Sequence, residues 1–506
     1  MATYYVAEGG TATDQAKENA TSGTYPGGCL SVAGHNAETF AAGDTINVKS
    51  DGGVVRAQLT TPSPGSSGNR ITYSYDSDLV ISGGSLYDSG WSVHSGNVWK
   101  VAESTHIYNL YYNGTRGEVQ SSAANCTDTG HWYWASSVLY FYSSGGDPAT
   151  VYTDPGVECA VRDNCIESTK SYITHEGNGA ELWLTHFQTV RIHTPGEPTD
   201  PNTDVTIQDF ICHDIMYEDD MVGIQGFSTH DTNNVIIKRI KVYNVGWNGI
   251  QVSVDDPPGG AVSNILVEEC EVHHALHGGV DIHTQPGSRR GLSGITVRRC
   301  YLHDNQESGI LVFNENANST SAIYSVHIHD NVICNNGRCG MAFLPVVSDE
   351  PFHDCTVYNN SIYGNGTDGV SNWGYGIYFE GYSSDIQNNA LYNNCINCST
   401  KYEILVSGTP VPTVDYNVAK NDSTSTIFYE NGTAYNLANY QSVKSQMLNG
   451  KQEDPLFTDP GNGDLTLQSG SPCIGAGVNL GASYDDALMP SSTWPDGVVT
   501  GDQDDY

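Results

Sequence analysis

Residues 205–214 read VTIQDFICHD, and a segment of the same kind returns at 235–244 (VIIKRIKVYN), 265–274 (ILVEECEVHH), 295–304 (ITVRRCYLHD), 326–335 (VHIHDNVICN) and 355–364 (CTVYNNSIYG). The steps between their first residues are 30, 30, 30, 31 and 29. Apolar residues alternate within each segment, the period of a strand with one buried face. A second strand follows in every repeat, opening with Gly and an apolar residue: Gly223-Ile224, Gly249-Ile250, Gly279-Val280, Gly309-Ile310, Gly340-Met341 and Gly376-Ile377. Two strand registers sharing one period predict an all-β solenoid, a right-handed parallel β-helix. Leucine-rich repeats would need a Leu/Asn consensus that is absent, and propeller blades would be longer.

Equivalent positions of such coils stack about 4.8 Å apart. Asn331, Asn360 and Asn389 then fall at one corner, where Asn is expected to hold a left-handed turn and bond to the next coil. Arg239, Glu269, Arg299 and Asp330 form a column of alternating sign, as do Lys238, Glu268 and Arg298, which predicts salt-bridge ladders. His213, Tyr243, His273, His303 and Tyr363 share another column and read as turn residues. Cys270 and Cys300 read as inward core thiols.

The rest of the 506 residues is less regular. Residues 1–165 predict a cap and first coils, with Ala42–Val48 as an opening coil and a Trp/Tyr-rich inserted β subdomain around Trp91–Tyr142. Residues 166–400 hold the regular coils. Residues 401–506 predict C-terminal coils, a short helix over Asn436–Leu448, closing strands over Asp454–Gly475 and an acidic tail. The 55 Gly and 31 Tyr suit turns and strands.

A net charge of −37 argues against nucleic acid or an anionic membrane as partner, since both need clustered cations. No apolar run approaches the ~20 residues that span a bilayer. The start, Met-Ala-Thr-Tyr-Tyr, shows no signal peptide, so a secreted protein is expected to have lost its leader or to leave the cell by another route. The 13 cysteines include the close pairs Cys159/Cys165, Cys334/Cys339 and Cys395/Cys398, for which local disulfides are expected.

The coils, together with Gly43-Asp-Thr-Ile46, residues 64–72 (PGSSGNRIT) and residues 465–477 (LTLQSGSPCIGAG), resemble the pectate-lyase-like superfamily of bacterial β-helix proteins. The resemblance implies the fold and a polysaccharide as partner. It leaves hydrolase, lyase, epimerase, esterase and tailspike open.

In the Gly-initiated strands, alternation turns Gln251, Ser253 and Asp255 outward, then Asp281, His283 and Gln285, then Leu311, Phe313 and Glu315, then Tyr378 and Glu380. Acids, amides and aromatic rings on one face are what a glycan site needs. For hydrolysis, Asp255 and Glu315 stand two coils apart, about 9.5 Å, near the upper end of the inverting range. His283 would position substrate or tune an acid. For β-elimination, His283 or a neighbouring Tyr would be the base, and Arg289 and Arg290 would neutralise a uronate carboxylate. The run Gly279-Val-Asp281-Ile-His283 is similar to the Asp-Pro-His signature of β-helix mannuronan epimerases. It departs from that signature at Ile282, and at Gly278 where those enzymes carry a catalytic Tyr.

The catalytic candidates are therefore Asp255, Asp281, His283 and Glu315. The substrate-binding candidates are Gln251, Gln285, Arg289, Arg290, Phe313 and His277. Asn202-Thr-Asp204, Asp219-Asp220 and Arg239-Ile-Lys241 follow the order of polygalacturonase motifs, but no Gly-His-Gly intervenes, and the ladder explains Arg239 and Lys241 better. His273, His274 and His277 make a weaker metal candidate. No cofactor is required, although acids near loops (Glu218–Asp220, Asp255–Asp256) could take Ca2+. The leading expectation is an extracellular, monomeric enzyme that cleaves a polysaccharide, with hydrolysis ahead of elimination or epimerisation. The rival is a glycan-holding tailspike or adhesin, and a tailspike should be a trimer.

Overall fold

The computed structural model describes residues 1–8, 25, 28–51, 53–195, 202–215, 225–254, 262–285, 291–315, 323–345, 352–369, 373–382, 385–387, 390–392, 402–408, 411–421, 424–484, 486–489 and 497–499. The repeat is a parallel β-helix with three faces. On the first, Val205 pairs with Val235, then Ile265, Ile295 and Val326, the register the sequence period predicts. On the second, His213 pairs with Tyr243, His273, His303, Cys334 and Tyr363 in turn. On the third, Phe227 pairs with Ile250, Val280, Ile310, Met341, Ile377, Ile404 and Phe428. Phe227 thus takes the place expected of Ile224, and the aligned glycine is Gly226.

The coils start earlier than the regular repeat. Thr3–Val6, Thr45–Val48 and Ile71–Tyr75 pair in parallel on the first face and lead into Ile173–Trp183. The alternate apolar residues point inward, and Val205, Ile207, Val235, Ile237, Ile295 and Val297 are fully buried. No helix among the described residues is long and apolar enough to cross a membrane.

Corners explain much of the composition. Each coil turns through left-handed residues that stack in columns. Asp209, Arg239, Glu269, Arg299, Asp330 and Asn359 have φ between 48° and 63°, and Asp214, Asn244, His274, Asp304 and Asn335 between 53° and 56°. Asp330 and Asn359, not the Asn331 and Asn360 that follow them, therefore carry the strain. For residues other than Gly, that conformation costs about 1–2 kcal/mol. At the first corner the charge ladder offsets it. Arg239 grips Asp209 at 2.6 Å, and Glu268 receives Lys238 at 2.9 Å and both Arg298 and Arg299 at 2.8 Å.

Just after these corners run two buried amide ladders. Asn331 donates to Asn360 at 2.9 Å. Asn305 donates to Asn336 and Asn336 to Asn365, both at 2.9 Å. Each side chain also satisfies backbone groups that the turn leaves open. Asn389 lies outside the described residues.

The glycines that open the third-face strands have a packing reason. A Cβ on Gly279 would stand 2.6 Å from the Gly309 carbonyl oxygen, and one on Gly340 2.6 Å from that of Gly376. Successive turns approach too closely there for any side chain.

The expected aromatic subdomain interrupts one coil between Ser82 on the second face and Ile166 on the third. It consists of a four-stranded sheet (Gly84–Leu86, Leu110–Tyr112, Thr115–Arg116, Val157–Ala160) and a five-stranded one (Ser92–Ser95, Val98–Ala102, Glu118–Val119, His131–Ala135, Val138–Tyr142). Trp91, Trp132, Leu139 and Phe141 are in its core. Arg56 ties it to the coils through the buried Glu158. At the other end, helix Leu437–Lys444 is capped by Asn436, and the hairpin Phe457–Asp459/Asp464–Leu467 packs on Val332 and Cys334. The acidic tail, Cys395 and Cys398 lie outside the described residues.

The disulfide expectation is corrected. Cys159, Cys165, Cys334 and Cys339 are separate buried thiols, as are Cys270 and Cys300 in the core. Short spacing brought the pairs together only in sequence. Cys334 and Cys339 sit on either side of a turn, one under the C-terminal hairpin and one beside the third face. Burial pushes Cys334 up to about 12 and raises Cys159 and Cys165 as well, so none offers a reactive thiolate.

Two outcomes are expected. Alkylation of unfolded, unreduced protein labels Cys159, Cys165, Cys334 and Cys339, and mass spectrometry detecting linked Cys159–Cys165 or Cys334–Cys339 peptides would contradict this. Asn336→Ala strands the donors of Asn305 and lowers stability by about 3 kcal/mol in denaturant unfolding, whereas Lys238→Ala, which leaves Glu268 two arginines, loses under about 1 kcal/mol. Equal losses would mean that the amide ladder does not hold the corners.

Candidate functional site

Three third-face strands, Ile250–Val254, Val280–Thr284 and Ile310–Asn314, carry the candidate site. Their inward residues anchor them in the core, and Ile250, Val280, Ile282, Ile310 and Val312 are fully buried. Register sets Gln251 beside Asp281 and Leu311, and Ser253 beside His283 and Phe313, as alternation predicts. Gln285 and Glu315 follow the strand ends in equivalent places.

The structure brings Asp281, His283 and Glu315 into one line. His283 Nδ1 stands 3.4 Å from Asp281 Oδ2, and its Nε2 stands 3.0 Å from Glu315 Oε2. Burial by itself disfavours a charged imidazole here, but the two carboxylates outweigh it and push His283 up to about 9. Asp281 is 1% exposed. Its burial would raise its pKa, yet the bond to His283 and the amide of Gln251 bring it below the usual carboxylate range. Glu315 is the accessible member, its side chain one-third exposed.

Behind this line lies a network that single-strand reasoning missed. Asp281 Oδ2 also accepts from Asn248 Nδ2 at 2.7 Å and from Gln251 Nε2 at 3.0 Å. Asn248 Oδ1 meets His277 Nδ1 at 2.7 Å, His277 Nε2 meets Glu307 at 2.8 Å, and Glu307 meets Arg338 at 2.6 Å. Trp247 stacks flat on His277 with centroids 4.2 Å apart. These residues lie in the turns between the second and third faces, outside the alternation used to find the platform. The one signal available was the offset of 30 that links Trp247 to His277 and Asn248 to Gly278.

Gln251, expected to meet a sugar, is 3% exposed and donates to Asp281. Asp281 likewise is buried and meets His283. His277 is held by Asn248 and Glu307 at the rim and takes no part in a cluster with His273 and His274. Gln285 is half-buried at its strand end. Asp255, Arg289 and Arg290 lie outside the described residues, as do the loop acids Glu218–Asp220 and Asp256. Lys241 pairs with Glu271 at 2.9 Å, so Arg239 and Lys241 are ladder residues as expected.

Phe313, with Tyr378 as alternation predicts, begins an aromatic strip that extends further than the sequence suggested. Its ring lies 5.2 Å from that of His283. Phe313 clusters with Leu344 and Tyr378, and Tyr375, Tyr402 and Tyr429 follow on successive coils, with Tyr375 and Tyr402 parallel within 6° and Tyr402 and Tyr429 4.9 Å apart. Trp373, 36% exposed, leans on Tyr378. Apolar ring faces beside acids and amides are the surface that a pyranose chain fits.

Residues 225–398 match the family model described as "Right handed beta helix region". No curated protein matches the chain. Among solved structures, the complex of XylC with xylose is 14% identical, with 90% of this chain and 87% of that one covered and a TM-score of 0.50. A structure named "Glycoside hydrolase" is 11% identical over 86% of this chain and 95% of that one, also at 0.50. Pectate lyase Pel9A is 12% identical over 94% and 92%, at 0.49. The chain is a right-handed parallel β-helix, a fold it shares with the XylC complex and with the structure named "Glycoside hydrolase".

Proposed function

We propose that this chain is an enzyme that hydrolyses glycosidic bonds in a neutral or weakly charged polysaccharide lying along the third face. One observation carries the reading. A buried carboxylate, Asp281, holds an imidazole whose other nitrogen meets an accessible carboxylate, Glu315. A carboxylate bonded to an imidazolium serves as base or nucleophile rather than as proton donor. Glu315 would thus activate water, and a second acid would protonate the leaving oxygen. Asp255 is the candidate for that acid, since the sequence period sets it two repeats before Glu315, a spacing expected to fall near the upper end of the span of inverting enzymes, about 6.5–9.5 Å. Phe313, Trp373 and Tyr402 would carry the sugar rings, and Gln285 would meet a hydroxyl.

Charge favours hydrolysis over proton abstraction. Elimination and epimerisation act on uronates, and a chain of net charge −37 with Glu307, Glu315 and Asp281 at the site repels a polyanion. A His283 charged at neutral pH is also a poor base for a carbon acid. The reading needs no cofactor, and it places the enzyme outside the cell as a monomer.

Digestion of neutral and acidic polysaccharides should release reducing ends from a neutral one without the ultraviolet absorbance of an unsaturated uronate. That absorbance would establish a lyase, and neither signal would favour a glycan-holding protein. Glu315→Gln is expected to lower kcat by about 10²–10⁴ with KM little changed.

The pH dependence has a definite sign. The folded pKa of His283, about 9, lies above its ordinary 6.5. Its ion pairs are therefore complete below about pH 6.5 and are lost as pH rises through about 9. The alkaline fall of kcat/KM should lie near pH 9, move to lower pH in Asp281→Asn and vanish in His283→Gln. An imidazole resonance of His283 titrating near 6.5 would sink this reading.

A further inference from the structure

The second face carries a cluster that the proposed reaction does not use. Glu271 and His273 are two apart on one strand and point to the same side, and His303 is the register neighbour of His273 on the next coil. Glu271 Oε1 stands 3.7 Å from His273 Nε2 and 3.5 Å from His303 Nε2. Two imidazole nitrogens from adjacent coils thus face one carboxylate oxygen at distances long for hydrogen bonds. They are close to the edge of a tetrahedral zinc site, where bonds of about 2.0–2.1 Å separate ligand atoms by roughly 3.3 Å. All three ligand atoms lie within 4.8 Å of one another.

We propose that Glu271, His273 and His303 bind one divalent transition-metal ion of the Zn2+ class, bridging two coils. Two imidazoles and a carboxylate suit zinc, copper or nickel and are too few and too nitrogen-rich for Ca2+ or Mg2+. The surroundings prepare each ligand. His303 Nδ1 stands 2.7 Å from the Asp304 carboxylate, which fixes the proton there and leaves Nε2 its lone pair. His273 Nδ1 stands 2.7 Å from His274 Nδ1, and with His273 the donor its Nε2 is free in the same way. Both partners come from one corner. Residues 274 and 304 are left-handed, with φ of 56° and 53°, and their side chains return beside the preceding ring.

Lys241 holds Glu271 Oε2 at 2.9 Å and leaves Oε1 as a single ligand atom. Tyr243 stacks under His273 at 5.1 Å and Tyr301 on His303 at 4.0 Å. The His273 and His303 rings, 4.9 Å apart and 20° from parallel, must tilt toward each other to close the third edge. Their partly exposed positions on the sheet surface allow it, and water can complete the coordination.

The test is titration of EDTA-treated full-length protein with Zn2+ by calorimetry, with thermal unfolding alongside. One equivalent should bind, and Tm should rise with zinc. His273→Tyr keeps the stacked column, since Tyr243 already occupies an equivalent rung, and Glu271→Gln keeps the shape. Each should weaken binding at least tenfold and abolish the Tm rise. His283→Gln on the third face should bind zinc as the parent does. The proposal is overturned if the parent takes up no zinc, if His273→Tyr and Glu271→Gln bind it unchanged, or if binding is lost in His283→Gln instead.

Discussion

The backbone hydrogen bonds between one coil and the next are the constraint on which everything else here depends. They hold successive strands about 4.8 Å apart and force equivalent positions to stack on one another. Each column must then be self-compatible. Like charges cannot stack, so Arg239, Glu269 and Arg299 alternate. Buried amides can stack, because each Asn both donates and accepts, so Asn305, Asn336 and Asn365 form a chain. Where two backbones approach closest, only glycine fits, and Gly249, Gly279, Gly309 and Gly340 stand in line.

The same stacking builds sites from residues far apart in sequence. Asp281 and Glu315 meet at His283 because one coil separates two of them, and Glu271 meets His303 for the same reason. A solenoid can therefore place a carboxylate on either side of an imidazole with no loop closing over them. What differs between the two clusters is which acid is exposed. On the third face Asp281 is buried and bonded to Asn248 while the Glu315 side chain is one-third exposed. On the second face the single acid, Glu271, is itself buried beside two partly exposed imidazoles.

Much of this was legible in the residues. The period of about 30 gave the strands and their register, the charge columns gave the ladders, and alternation gave the outward sequence Asp281, His283, Phe313. The failures have physical causes. Gln251 was expected to be open because alternation says which face a side chain takes, not what lies above that face. Cys159/Cys165 and Cys334/Cys339 were expected to pair because they are near in sequence, but Cys159 belongs to the inserted sheet, and a corner puts Cys334 and Cys339 in different clusters. The left-handed conformation was assigned to Asn331 and Asn360, whereas Asp330 and Asn359 carry it. Of the aromatic strip, Phe313 and Tyr378 followed from alternation, whereas Tyr375 and Tyr402 were missed because they precede their strands.

The sequence by itself determined the solenoid, its register and the column in which each side chain stands, because these follow from periodicity and from what can stack at 4.8 Å. Only the tertiary structure decided which outward residues remain accessible, how His283 comes to be charged and which atoms of His273 and His303 face Glu271. Those properties depend on turns folding across a face and on the rotamers of long side chains. Neither is encoded by a period, since each is set by contacts with coils one turn away.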